Sequence, residues 1–220
     1  MGEGDKEILR ARELSGNSAE TPRANLLRTG RFEEATADAE RALRLDPLAF
    51  GAHVELAVVH RAAGEYDRAI ARLRRALEIF PGHARGHFQL GVTFMFMGRA
   101  NDAIGELETA VRSAQGGNPR FQAYLGYAYA VADRPLDARR ILTELESLGR
   151  QQYVSAFGIA LIHDALGEKE PALAALERAY QDRAVEFAQM YQYPPFKTIA
   201  SERRFRAVMR LVGLPVDRRL

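Results

Sequence analysis

The chain has 220 residues, of which 47% are hydrophobic and 27% are charged, and its formal net charge at pH 7 is +2. This composition is typical of a folded globular protein, so the chain can bury a hydrophobic core and need not be disordered. The sequence has no cysteine, which excludes disulfides, thiol chemistry and cysteine-based zinc sites. It also has no apolar run of the ~18 residues that a membrane span needs, and no export signal. We therefore predict a cytoplasmic protein.

A period of 34 residues runs through the chain. Gly30, Gly64 and Gly98 are each separated by 34 residues. The same spacing relates Ala35, Ala69 and Ala103, then Ala42, Ala76 and Ala110, and finally Pro47 and Pro81. After the segment QGGN at 115–118 the spacing is 35 for one period and then returns to 34. Phased markers of this kind predict one array built from a repeated unit.

Each unit is predicted to contain two helices. In residues 50–83 the apolar residues recur at helical spacing, Gly64 ends the first helix and Pro81 ends the second. In the earliest unit Pro22 permits a first helix only if that helix begins there, with Thr21 as its cap. The predicted units form a single domain, 1–220, with a degenerate repeat at 16–49, repeats at 50–83, 84–118, 119–152 and 153–186, and a capping tail at 187–220.

Small residues recur where the two helices of a unit should touch. The first helices carry Ala57, Gly91, Gly126 and Ala160 at equivalent positions, and the second helices carry Ala69, Ala103, Ala138 and Ala172. A bulky side chain at either position would force the helices apart. Larger residues, among them Leu73, Leu107, Leu142 and Leu176, should fill the remaining space. His60 and His163 share a packing position with Phe94 and Tyr129 and are predicted to be hydrogen-bonded core residues.

The repeated unit resembles the tetratricopeptide repeat, whose pattern is W-x-x-L-G-x-x-Y, then A-x-x-x-F, then P, over 34 residues. The matching segments are HVELAVVH with AIARL, HFQLGVTF with AIGEL, QAYLGYAY with ARRIL, and AFGIALIH with ALAAL. The tryptophan of the pattern is replaced by His53, His87, Gln122 and Ala156. The resemblance implies an all-α fold, a right-handed α-solenoid of helix-turn-helix repeats, and a function in protein–protein interaction without enzymatic activity.

The C-terminal segment from Phe196 to Pro215 is similar to the ending that closes the C-terminal repeat arrays of bacterial signalling and regulatory proteins. Pro194 and Pro195 interrupt the helical pattern, and Ser201 is predicted to cap a last amphipathic helix with Phe205, Val208 and Met209 on its apolar face. This tail should cover the open face of the last repeat. The resemblance implies a bacterial protein with a role in signalling.

The first helices carry a second apolar face, about 130° from the face that meets the partner helix. Because first helices line the concave side of such arrays, this face predicts a groove for an apolar or amphipathic helical segment of a protein partner. Some members of the resembled family bind the C-terminal carboxylate of a peptide through lysine and asparagine side chains in this groove. Those residue types are absent from this face, so binding of a peptide carboxylate is not predicted. Val92, Ala123 and Val131 are assigned to packing between repeats. The predicted groove residues, with three arginines at the rim, are Val54, Val58, Arg61, Arg85, Phe88, Met95, Phe96, Arg120, Tyr124, Tyr127, Phe157 and Leu161.

No motif for phosphate binding, nucleophilic catalysis or metalloprotease chemistry occurs, so no catalytic residue, cofactor or metal is predicted. His83 and His87 have the spacing of a helical metal pair, but His83 falls in a turn.

Two alternative functions remain. One is self-association as a regulatory module. The other is nucleic-acid binding through a basic tail that contains Lys197, Arg203, Arg204, Arg206, Arg210, Arg218 and Arg219.

Overall fold

The computed structural model describes residues 32–115, 117–187 and 196–214. These residues form ten α-helices and no β-strand. The first five are α1 (Phe32–Leu45), α2 (Phe50–Ala62), α3 (Tyr66–Ile79), α4 (Ala84–Phe96) and α5 (Ala100–Ser113). The others are α6 (Pro119–Val131), α7 (Pro135–Leu148), α8 (Ala156–Ala165), α9 (Lys169–Gln181) and α10 (Arg203–Leu211). The predicted helix start at Pro22 lies outside the described residues.

The helices form an α-solenoid, as the sequence predicted. Helices α2 and α3, α4 and α5, α6 and α7, and α8 and α9 pack as pairs, while α1 packs against α2. The second helices α3 and α5 also contact the first helix of the next pair. Neighbouring first helices touch along the array, which places α2, α4, α6 and α8 on its inner side. Within the described ranges, no helix has the length and apolar character needed to cross a membrane.

The turn at Gly64 shows how each pair is joined. Gly64 has φ +79°, its N–H donates to Arg61 O at 3.0 Å, and the N–H of Glu65 donates to His60 O at 2.8 Å. These two bonds satisfy the last carbonyls of α2 and reverse the chain. The prediction that Gly64 ends the first helix is confirmed. Asp133 holds the equivalent place between α6 and α7 with φ +58°, a conformation that aspartate tolerates better than most residues.

The predicted small and large packing positions are confirmed by burial. Ala57, Ala69, Ala103 and Leu73 are all completely buried. A methyl group added at Gly91 would lie 2.7 Å from Cγ of Leu107 and 3.2 Å from the carbonyl oxygen of Ala103. The first and second helices therefore approach too closely for a side chain at this position.

A recurring contact joins the end of each first helix to the start of the second helix. The residue at the shared packing position meets the residue five positions later, on the far side of the turn. Two of these contacts pair a histidine with a glutamate and two place an arginine over an aromatic ring. They are His60 Nδ1 to Glu65 Oε2 at 2.6 Å, Arg99 over Phe94 at 4.8 Å, Arg134 over Tyr129 at 4.5 Å, and His163 Nδ1 to Glu168 Oε2 at 2.7 Å. The prediction that His60 and His163 are hydrogen-bonded is confirmed.

The last repeat packs closely onto the one before it through two glycines. A methyl group built on Gly158 of α8 would lie 2.6 Å from Cβ of Ala123 on α6. One built on Gly126 of α6 would lie 2.7 Å from Cδ1 of Ile162. Helices α6 and α8 thus meet almost backbone to backbone, and α8 contacts α6 more extensively than it contacts α7.

Replacing Gly158 by alanine should therefore destabilise the protein by about 1–3 kcal/mol. The added methyl group meets Cβ of Ala123, which cannot rotate away, so the two helices must separate, and this outweighs the gain in helix propensity of about 1 kcal/mol. The measurement is the free energy of unfolding in urea. The compensating double variant Gly158→Ala/Ala123→Gly should recover most of the loss, and a double variant no more stable than Gly158→Ala would contradict the close packing.

The C-terminal segment, residues 196–214, packs on the last repeat. Its apolar side chains Phe196, Ile199, Phe205, Val208 and Met209 are buried and belong to the continuous core. The prediction that Ser201 caps the last helix is wrong. Glu202 is the N-cap residue, with extended backbone (ψ 141°), and its side chain binds Lys169 Nζ at 2.9 Å instead of capping the helix. Residues 188–195 and 215–220 of the predicted tail lie outside the described residues.

Ion pairs fix the direction in which α10 lies on α9. Arg204 donates from Nε and one terminal nitrogen to both carboxylate oxygens of Glu177 at 2.8 Å, and from its other terminal nitrogen to Glu170 at 2.7 Å. This bidentate contact holds the pKa of Glu177 below its ordinary value. An arginine fork on a carboxylate fixes geometry better than a single exposed ion pair does.

Candidate partner-binding surface

All twelve residues of the predicted groove lie on the inner helices α2, α4, α6 and α8. Three of them, Arg85, Phe96 and Arg120, are exposed or half-buried. The other nine are buried, with no more than 6% of any residue exposed, and are Val54, Val58, Arg61, Phe88, Met95, Tyr124, Tyr127, Phe157 and Leu161. The prediction that this second apolar face is an open stripe is wrong for these nine residues.

Phe88 is buried because it joins two repeats. Its ring stacks on Phe121 of α6 with centroids 4.4 Å apart and meets Tyr124 edge-on at 5.0 Å. The guanidinium of Arg120 lies 5.3 Å from the centroid of the same ring. The aromatic residues that suggested a binding surface thus form the contact between α4 and α6, where each contributes to the stability of the array.

Phe157 has an equivalent role at the end of the array. Its ring lies edge-on to Phe187 at 5.4 Å and to Phe196 at 5.5 Å, and it is completely buried. Phe196 in turn meets Phe205 of α10 at 5.6 Å. Phe157 therefore anchors the C-terminal segment rather than presenting an apolar surface to a partner. Val54, Met95, Tyr127 and Leu161 belong to the same continuous core.

Arg61 was predicted at the rim of the groove, but only 4% of it is exposed. Its guanidinium donates to Gln89 Oε1 at 2.8 Å and to Thr93 Oγ1 at 3.5 Å on α4, and lies 5.6 Å from the centroid of the Phe96 ring. Thr93 Oγ1 itself donates to the carbonyl of Gln89 at 2.8 Å. Arg61 is thus a buried polar link between α2 and α4, and a partner cannot reach most of it.

Burial raises the pKa values of the two inner tyrosines. It raises the pKa of Tyr127 to about 12 and raises the pKa of Tyr124 further above its usual range. Arg120 opposes the effect at Tyr124 through a hydrogen bond and its charge. Both phenols remain protonated at physiological pH, so this part of the inner side carries no tyrosinate charge.

Two rows of accessible residues recur on the inner side. Arg85 and Arg120 occupy the same place near the start of α4 and of α6, 35 residues apart. Phe96 and Val131 occupy the same place at the ends of these two helices, also 35 residues apart. Arg85 binds Glu55 of α2 at 2.6 Å, an exposed contact that a partner can share. One end of the surface is therefore basic and the other is apolar.

Val131 was assigned to packing between repeats, and that assignment is wrong because 39% of it is exposed. Val92 and Ala123, assigned to packing by the same reasoning, are buried. The difference follows from their places along the helix. Val131 is the last residue of α6, beyond the reach of the neighbouring repeat, whereas Val92 and Ala123 lie inside their helices.

The two histidines with metal-like spacing are engaged separately. His83 stacks on Phe50 with centroids 3.7 Å apart, and its Nδ1 accepts the N–H of Arg85 at 3.3 Å. His87 is bound on both nitrogens, to Glu106 Oε2 at 2.7 Å and to the carbonyl oxygen of Pro81 at 2.8 Å. No three metal-binding side chains come together within the described part of the chain.

Asp164 is a structural residue that the sequence interpretation missed. Its carboxylate is 3% exposed and accepts three backbone N–H groups, those of Lys197 at 2.7 Å and of Thr198 and Ile199 at 2.9 Å. Its own carbonyl accepts the Thr198 hydroxyl at 2.8 Å. A signal existed, because Asp164 stands where the preceding repeats have Met95 and Ala130. An acid at a buried repeat position indicates a specific hydrogen-bonding partner.

Comparison with known proteins identifies the repeat. Two models of the tetratricopeptide repeat family match, one over residues 25–84 and one over residues 60–126. This chain is a tetratricopeptide repeat protein. Among 26 matching chains of solved structures is a tetratricopeptide repeat protein from Parabacteroides merdae ATCC 43184, with a TM-score of 0.54 and 11% identity over 94% of this chain and 74% of that chain. At this identity the likeness concerns the fold alone. A search of curated proteins found no matching sequence.

Tetratricopeptide repeat arrays generally mediate protein–protein interactions, and the fold is typically a scaffold without catalytic activity. In this tetratricopeptide repeat protein, the described inner helices carry two rows of accessible residues, Arg85 with Arg120 and Phe96 with Val131, beside a largely buried apolar face. A protein partner is therefore the class of ligand that the family indicates.

Proposed function

We propose that this protein is an interaction scaffold that holds an amphipathic helical segment of a partner protein against α4 and α6. The contacts assigned to the partner are the basic row, Arg85 and Arg120, and the apolar row, Phe96 and Val131. This proposal keeps the partner class inferred from the sequence but moves the contacts from the buried centre of the inner helices to their ends. The observation that carries it is the accessibility of these equivalent positions in two successive repeats.

The spacing of the rows suits a short helix. Eleven residues separate Arg85 from Phe96, and the same number separates Arg120 from Val131. At 1.5 Å per residue, the two rows are about 16 Å apart, which is three turns of a helix lying along the inner helices. A segment with acidic residues at one end and an apolar anchor at the other would satisfy both rows.

Charge gives such a segment its direction on the surface. The Arg85 guanidinium is already bound to Glu55, and the Arg120 guanidinium lies against the Phe88 ring, so both are held in place before a partner arrives. Acidic residues placed at the apolar row would have no comparable contact. The proposed scaffold therefore selects for the orientation of the segment as well as for its composition. A cytoplasmic location in a bacterium remains part of the proposal, supported by the absence of cysteine and by the bacterial resemblance of the tail.

The experiment is an affinity capture of proteins from a bacterial lysate. The amount of each captured protein is compared among three baits. The baits are the wild type, the inner-surface variant Phe96→Ser/Val131→Ser, and the control Leu136→Ser, which changes a side chain that is 83% exposed on the second helix α7. We expect a specific protein to be retained by the wild type and the control and lost from the inner-surface variant. Circular dichroism and urea unfolding of all three check that the fold is kept.

Two outcomes would contradict the proposal. Retention of every captured protein by the inner-surface variant would show that the two rows do not bind the partner. The second is a molecular mass in solution that rises with the concentration of the purified protein and no longer does so in Phe96→Ser/Val131→Ser. It would show that a second copy of the chain occupies the surface.

A further inference from the structure

The last helix, α10, presents a stripe of three exposed arginines to solvent. Phe205, Val208 and Met209 are buried against the array, whereas Arg203, Arg206 and Arg210 lie on the opposite side. At 100° per residue these three positions fall within about 60° of one another, and they extend over about 10 Å of the helix. Within the described ranges, none of the three guanidinium groups has a carboxylate within ion-pair distance, in contrast to Arg204 beside them.

Three acidic residues next to α10 or preceding it are already bound. Glu170 and Glu177 of α9 bind Arg204, and Glu202 binds Lys169. Residues 196–214 contain five basic residues and one acidic residue, a net charge of +4, whereas the whole chain carries +2. The rest of the chain is therefore slightly negative, and positive charge is concentrated on the C-terminal cap. Such a field attracts an acidic ligand to this end of the molecule.

We propose that the arginine stripe of α10, Arg203, Arg206 and Arg210, is a second docking site, for an acidic amphipathic helix of a protein partner. Acidic residues at the same helical spacing, i, i+3 and i+7, would face the three guanidinium groups in register. Leu211, 55% exposed, lies on the adjoining side of α10, and the small Ala207 separates it from the stripe. It supplies an apolar contact that a partner helix can use.

An acidic protein helix fits this surface better than a nucleic acid does. Phe205, the one aromatic residue of α10, is buried, so no ring on this helix is available for base stacking. Three arginines on one short helix can neutralise only a few phosphates, which is little for a long polyanion. The exposed Leu211 next to the stripe favours a ligand with an apolar side. The inference is independent of the inner surface, since α10 lies at the outer end of the array.

The test uses the full chain and defined probes. Fluorescence anisotropy is measured near physiological salt with a labelled helical peptide of about 14 residues that bears glutamates at i, i+3 and i+7 and leucines beside them. The other probes are the same peptide with glutamines in place of the glutamates, a single-stranded RNA and a DNA duplex. The protein variants are Arg203→Gln/Arg206→Gln/Arg210→Gln and the control Arg44→Gln/Arg74→Gln/Arg150→Gln, which removes the same charge from exposed sites elsewhere.

We expect the wild type and the control to bind the acidic peptide, and the stripe variant to bind it about tenfold more weakly, because three exposed charge contacts are lost together. The glutamine peptide should bind the wild type as weakly as the acidic peptide binds the stripe variant. Equal affinity of the stripe and control variants would overturn the proposal, as would a wild type that binds no probe. Tighter binding of RNA or DNA than of the acidic peptide, lost in the stripe variant, would overturn it in favour of a nucleic acid ligand.

Discussion

Phe88→Ser should lower the free energy of unfolding by about 3–5 kcal/mol, one of the largest losses for a single substitution in this protein. Phe88 is 2% exposed and lies between two repeats, stacked on Phe121 and edge-on to Tyr124. Removing the ring leaves a cavity between α4 and α6 and places a hydroxyl where no partner replaces its hydration. The measurement is urea unfolding followed by circular dichroism.

The matched control is Phe80→Ser, in which the same change is made at a ring that is 46% exposed. Its loss should be about 1 kcal/mol, because nearly half of the Phe80 residue is already exposed and its ring packs edge-on with Phe50 at 5.7 Å. If Phe88→Ser were as stable as Phe80→Ser and still lost a protein partner, Phe88 would belong to an open binding surface. That result would restore the groove inferred from the sequence.

Most of the fold could be predicted because the residues that pack within one unit recur at the same positions in every unit. The small positions such as Ala57 and Ala69, and the turn glycines such as Gly64, depend on contacts a few residues to one repeat away. Their spacing is therefore visible as a period in the sequence. The same holds for two pairs of residues five positions apart, His60 with Glu65 and Phe94 with Arg99. Each pair joins the two helices of one unit across their turn.

The binding surface could not be predicted to the same degree, because its exposure depends on how closely successive repeats approach. The helical spacing correctly placed Phe88, Tyr124 and Phe157 on one side of the inner helices, but it carries no information on the distance to the next repeat. Nor does it measure how far the contact of Gly158 with Ala123 draws α8 towards α6. The same apolar face can be a groove in an open array and a core in a close one.

The C-terminal segment, residues 196–214, is held by a contact of Asp164 that the other repeats lack. The substitution Asp164→Asn tests this contact. The two carboxylate oxygens of Asp164 accept the N–H groups of Lys197, Thr198 and Ile199. An asparagine side chain has only one acceptor oxygen, and its NH2 group would face a backbone N–H that also needs an acceptor. We expect the attachment of residues 196–214 to weaken by about 2–4 kcal/mol, since buried hydrogen bonds to a charged group are lost.

The readout is hydrogen exchange of the amides of Lys197, Thr198 and Ile199 in Asp164→Asn, because a repeat array can open at one end while the rest stays folded. Exchange at these amides should accelerate about a hundredfold, corresponding to roughly 2.7 kcal/mol, while the amides of α4 and α5 change little. Asp182→Asn, at an exposed aspartate that follows α9, is the matched control and should leave all of them unchanged. Unaltered exchange at residues 197–199 in Asp164→Asn would mean that the buried apolar side chains, from Phe196 to Met209, hold the cap without the carboxylate.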